Sequence, residues 1–150
     1  MGRIVLFVRV STLGQQLESQ EDSLRRAALA DGYSESDFII IGNKESAIKL
    51  SEEEREGLNE LKRVIESEVV SCIYISELSR LSRRTTVLFS IQEMLLQKRI
   101  QLKCLNPSFS LLNEDRTKID PTANIIFSLF GALAAQEMVE KKDNNGENVC

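Results

Sequence analysis

Four short apolar runs separated by amphipathic stretches constrain this chain more than any other feature. Ile4 to Val10, Phe38 to Ile41, Val69 to Ile75 and Ile100 to Leu105 each read as a buried strand. Between them lie three segments with helical periodicity. Gln15 to Asp31 places Leu17, Leu24, Ala27 and Ala28 on one side and stops at Gly32. Ser51-Glu52-Glu53-Glu54 reads as a capping box opening a helix to about Ser67, with Leu58, Leu61 and Ile65 inward. Thr85 to Lys98 turns Leu88, Ile91 and Leu95 inward. Gly42 to Leu50 reads as a polar loop, and a second loop runs from Asn106-Pro107 to Asp120. Repeated β–α units with short connections predict an α/β fold: a mainly parallel sheet of four to five strands covered by helices on both faces.

A last helix is predicted from Asp120-Pro121-Thr122, with proline in the first turn, to about Lys142. Residues Thr122 to Lys142 would make a rod of roughly 31 Å. Ile125, Ile126, Phe127, Leu129, Phe130 and Leu133 spread around most of its circumference. Such a helix needs cover on more than one side, either from its own domain or from a second subunit. The tail from Asp143 is polar.

Composition narrows the chemistry. The 150 residues contain no histidine, which excludes a Ser-His-Asp triad and His-ligated zinc. Cys72, Cys104 and Cys150 are scattered, the first two within strand-like runs, so buried free thiols and a reducing cytoplasm are expected. No signal peptide is evident, and no stretch reaches the ~20 apolar residues that span a bilayer. The net charge is −4, yet it is unevenly spread. Glu45 to Glu68 holds eight glutamates against four basic residues, whereas Ser76 to Arg99 holds five basic residues against two acidic ones. A local basic site on an acidic body is therefore expected, with little non-specific affinity for DNA by itself.

The chemistry-bearing residues cluster at strand ends. Arg9-Val10-Ser11-Thr12 follows the first strand, and ligands of open α/β sheets bind at the carboxyl ends of strands. A hydroxyl beside a guanidinium there suits attack on phosphorus. Gln15 and Gln20 bracket the start of the first helix, and Arg55 with Gly57-Leu58 opens the second. Ser76-Glu77-Leu78-Ser79-Arg80-Leu81-Ser82-Arg83-Arg84 follows the third strand. Arg80 and Arg83 would share a face if that segment begins a helix. If the first and third strands are neighbours, both arginines approach Ser11.

These motifs resemble the catalytic domain of the serine recombinases, the resolvase and invertase family, over nearly the whole chain. The resemblance implies that residues 1–120 form a catalytic α/β domain, that 121–142 form the family's long dimerisation helix, and that a DNA-binding domain, not contained in this chain, would follow. It implies a site-specific recombinase in which Ser11 attacks a DNA phosphodiester to form a 5′-phosphoserine bond. Arg9, Arg55, Arg80 and Arg83 would hold the scissile phosphate, supported by Gln15, Gln20 and Glu77. No metal or small-molecule cofactor is implied, and the partners are DNA and further copies of the chain, as dimer and tetramer, with no membrane. Four departures from the family pattern stand out. Ser79 replaces an aspartate, whose charge Glu77 could supply. Phe7 replaces a tyrosine. Met138 and Val139 follow Glu137 where an arginine is usual. Ser46-Ala47 replaces Ser-Gly ahead of a longer loop. A non-catalytic relative that oligomerises and modulates an active recombinase is the alternative. A flavodoxin-like ligand module fits less well, because Leu13-Gly14 is poor in glycine.

Overall fold

The structure is a computed structural model that describes residues 2–9, 14–42 and 50–133. Its strands are β1 (Arg3–Phe7), β2 (Phe38–Ile41), β3 (Val70–Ile75), β4 (Gln101–Leu105) and β5 (Ser108–Ser110). Its helices are α1 (Gly14–Ala30), α2 (Leu50–Ser67), α3 (Thr85–Lys98) and α4, residues 121–133. The sheet order is β2-β1-β3-β4-β5. The first four strands are parallel, and β5 returns antiparallel to β4 through the pairing of Cys104 with Phe109.

The two faces of the sheet carry different loads. Val5 and Phe7 of β1, Ile73 and Ile75 of β3, and Leu102 of β4 face a core built with α2, α3 and α4. The predicted inner stripes, Leu58-Leu61-Ile65 and Leu88-Ile91-Leu95, are buried there. Ile4, Leu6 and Val8 alternate onto the opposite face, where Cys72 and Tyr74 meet Leu24 and Ala28 of α1. Helix α2 lies close over β1 because residue 57 has no side chain: a Cβ there would sit 3.3 Å from Phe7 Cζ.

Helix ends follow local chemistry. Gly32 takes a φ of 94°, and the amides of Gly32 and Tyr33 donate to Leu29 and Ala28 carbonyls, closing α1. Asp120 caps α4: its Oδ2 accepts from the amides of Thr122 at 3.0 Å and Ala123 at 3.3 Å. The capping box at Ser51 does not hold, because α2 is already helical at Leu50 and a cap residue is not. The segment from Asn106 to Asp120 is not all loop. It contains β5, which the open edge of β4 recruits through its unpaired main-chain groups, and a bridge between Leu112 and Ile119.

Helix α4 divides its apolar surface. Ala123 and Phe127 are fully buried in their own domain, with Phe127 edge-on to Phe109 at 6.0 Å between centroids. Ile125, Leu129 and Leu133, four residues apart, are 59%, 59% and 61% exposed. The expectations on Asn43–Lys49 and on residues beyond 133 lie outside the described residues. Among the described residues, no helix is long and apolar enough to cross a membrane.

Candidate active site

The sheet order creates the site. From β1 the chain first adds β2 on one side and later β3 on the other, so the two connections part above the carboxyl ends of β1 and β3. Arg9 leaves β1 at that point, and Ser76 to Arg84 leaves β3 beside it.

Arg9 is 7% exposed, and it reaches across to the neighbouring segment. Its Nε donates to the main-chain carbonyl of Arg80 at 2.9 Å, and Nη2 donates to the carbonyl of Ser79. Its own amide donates to Gln20 Oε1 at 3.2 Å, which ties the end of β1 to α1. The planar guanidinium fork suits two carbonyls on adjacent residues.

The segment after β3 is not a continuous helix. Leu78–Arg80 is a single 3-10 turn, and α3 begins at Thr85. Arg80 therefore closes the turn, whereas Arg83 stands beyond it and is exposed. The expected shared helical face of Arg80 and Arg83 is absent, because Ser82 interrupts it. Ser82 is buried and its Oγ accepts from the amide of Arg84. Within the turn, Arg80 Nη2 pairs with Glu77 Oε1 at 2.8 Å. Arg80 Nε is buried with no hydrogen-bond partner, as is Ser76 Oγ.

An open cleft of about 510 Å³ borders this arrangement, lined by Ser19, Gln20, Ser23, Ser76, Glu77, Arg80 and Asn106. Asn106 was a turn signal in the sequence; its place here follows from its amide, which donates to the Ser76 carbonyl at 2.8 Å. Ser76 opens the segment singled out in the sequence, whereas Ser19 and Ser23 carried no signal, since isolated serines are common on helix surfaces.

Arg55 is exposed on α2, near the helix end that faces the carboxyl edge of the sheet. Gly57 and Glu60 of the same helix border a small cavity with Phe7, Val8 and Arg9. The structure thus brings Arg9, Gln20, Glu77 and Arg80 together and leaves Arg55 and Arg83 on the surface. Ser11 lies outside the described residues, and Gln15 is described only as backbone within α1.

The sequence profile of the resolvase N-terminal domain matches residues 4–147. The chain belongs to the resolvase family. A comparison with curated proteins finds no significant match. Among solved structures, the chain is similar to the N-terminal catalytic domain of TP901-1 integrase, with 23% identity, a TM-score of 0.60, and 91% of this chain and 96% of that one covered. It is also similar to a resolvase family site-specific recombinase from Streptococcus pneumoniae, with 22% identity, a TM-score of 0.63, and 98% and 95% covered. At these identities the likeness establishes the fold, and the family match identifies that fold as a serine recombinase catalytic domain.

Proposed function

We propose that this resolvase-family domain cuts and rejoins DNA through Ser11. The observation that carries the proposal is the junction of β1 and β3, where Arg9, Gln20, Glu77 and Arg80 are bonded into one unit. Ser11 follows Arg9 by two residues in the sequence. In the proposed step, Ser11 Oγ attacks a backbone phosphorus and the bond to the 3′ oxygen breaks. The serine proton passes to solvent, and the departing 3′ oxygen takes one up. The phosphodiester energy is kept in a 5′-phosphoserine bond, so rejoining needs no added energy source.

The arginines divide the work. Arg80, held at Nη2 by a carboxylate and lining the open cleft, is suited to bind the non-bridging oxygens. Arg55 and Arg83, exposed on the same edge, can close on phosphate when DNA arrives. Arg9 commits two of its N–H groups to main-chain carbonyls and so sets the turn on which Arg80 stands. Gln15, on the first turn of α1, would support the Ser11 segment. DNA substrate together with the free thiols Cys72 and Cys104 fits a cytoplasmic protein. The Ile125-Leu129-Leu133 stripe fits a homodimer and, by pairing of dimers, a tetramer.

The test is covalent capture. The chain is incubated with a randomised duplex library carrying 3′-bridging phosphorothiolate linkages, whose sulfur leaves readily and rejoins poorly. Wild type should form a protein–DNA adduct at Ser11, and Ser11→Ala should form none. An adduct that survives in Ser11→Ala, or absence of adduct in wild type, overturns the proposal.

A further inference from the structure

We propose that Glu77 is a positioning residue of this site: its carboxylate holds the Arg80 guanidinium in place for phosphate before DNA arrives. The inference rests on the recombinase reading above and concerns a residue that does not itself touch the reacting atoms.

Glu77 and Arg80 are joined twice within one turn. The Arg80 amide donates to the Glu77 carbonyl at 3.1 Å, and the side chains pair at 2.8 Å. Glu77 is the extended residue that caps the 3-10 turn and Arg80 is its last residue, so both links span the same turn. The turn is anchored from outside by Arg9, which grips the carbonyls of Ser79 and Arg80. Backbone and side chain of Arg80 are thus each held by a separate partner.

Glu77 leaves part of the guanidinium unspent. Arg80 Nε is buried and unpartnered. Arg80 lines the open cleft with its side chain partly exposed, so an incoming phosphate oxygen would find a guanidinium already oriented. Arginine carries large rotamer freedom, and the ion pair removes it before substrate binds rather than during the reaction. Among the described residues that line the cleft, Glu77 is the one carboxylate, and none of the others could take over its charge. The pair is partly open to solvent, with side-chain exposures of 25% and 41%. Such pairs contribute little to folding. The consequence of losing Glu77 therefore belongs in the chemistry and not in stability.

The experiment measures adduct formation by the full chain on the phosphorothiolate library, across DNA concentrations, alongside thermal melting. Glu77→Ala should lower the rate at saturating DNA by about tenfold or more while the half-saturating concentration stays nearly constant. Glu77→Asp should recover part of the rate. In an Arg80→Ala background, Glu77→Ala should cost nothing further, because its effect passes through Arg80. The Nε–H resonance of Arg80 should be sharp and protected in wild type and averaged in Glu77→Ala. An unchanged or faster rate in Glu77→Ala overturns the inference, as do additive losses in the double variant. A faster rate would mean that the carboxylate competes with phosphate. If wild type captures no DNA, the recombinase reading falls first. The Arg80 resonance then still reads whether Glu77 fixes the guanidinium, and an averaged signal in wild type overturns that too.

Discussion

Arg9 donates from Nε to the main-chain carbonyl of Arg80 at 2.9 Å, so one arginine of the site is a structural support for another. Arg9 addresses the backbone of the turn, while the Arg80 side chain turns to Glu77. Arg9→Lys should therefore damage more than charge. An ammonium lacks the planar fork that fits the carbonyls of Ser79 and Arg80 together. We expect a loss of about 1–3 kcal/mol in urea unfolding, from a buried group and its stranded acceptors. Unchanged stability would show that the brace is dispensable to the fold.

The two sides of α4 should respond differently. Phe127→Ala opens a cavity against Phe109 and should cost about 3–5 kcal/mol. Leu129→Glu lies on the exposed stripe and should change stability by no more than about 0.5 kcal/mol. It should nevertheless weaken self-association in sedimentation. Identical sedimentation of wild type and Leu129→Glu would remove this stripe from the proposed dimer.

Asp31 predicts a pH dependence on the far face of the sheet. Burial pushes its carboxyl up, but the Tyr74 hydroxyl and Lys103, whose Nζ lies 2.9 Å away, outweigh this and hold it below the ordinary value of 3.8. A depressed acid contributes stability above its unfolded value and loses it as pH falls toward the folded one. Wild type should therefore lose stability relative to Asp31→Asn between about pH 5 and pH 3. At neutral pH, Asp31→Asn should cost about 1 kcal/mol, a modest value because solvent screens so exposed a carboxylate. Parallel acid curves for the two proteins would contradict the network.

Cys72 and Cys104 should resist alkylation in the folded chain. Burial pushes the thiols up to about 12 and about 11, respectively, so little thiolate exists at pH 8. Mass spectrometry after iodoacetamide should find both sites unmodified in buffer and modified in urea. Rapid native labelling of Cys72 would show that α1 opens away from the sheet.

Replacing Asp120 with alanine removes the acceptor for two amides at the start of α4 and should cost about 1 kcal/mol. A larger loss would mean that the cap also fixes how α4 docks.

Much of this architecture was legible in the residues themselves. Strand and helix periods, the stop at Gly32, the start at Asp120-Pro121 and the inward stripes of α2 and α3 depend on neighbours a few positions apart. The alternation of elements also implied a parallel sheet, and the strand-end motifs placed the chemistry on one edge. Other relationships join distant parts of the chain. No local pattern revealed that β5 would pair with β4, that α4 would bury Phe127 yet expose Leu129, or that the 3-10 turn would end at Arg80 and leave Arg83 outside it. Nor could spacing show Arg9 spending its guanidinium on carbonyls 70 and 71 residues away. Local periodicity arises from backbone geometry and is written residue by residue. The partner of a hydrogen bond across the sheet is chosen only when β1 and β3 lie side by side, and that choice belongs to the tertiary structure.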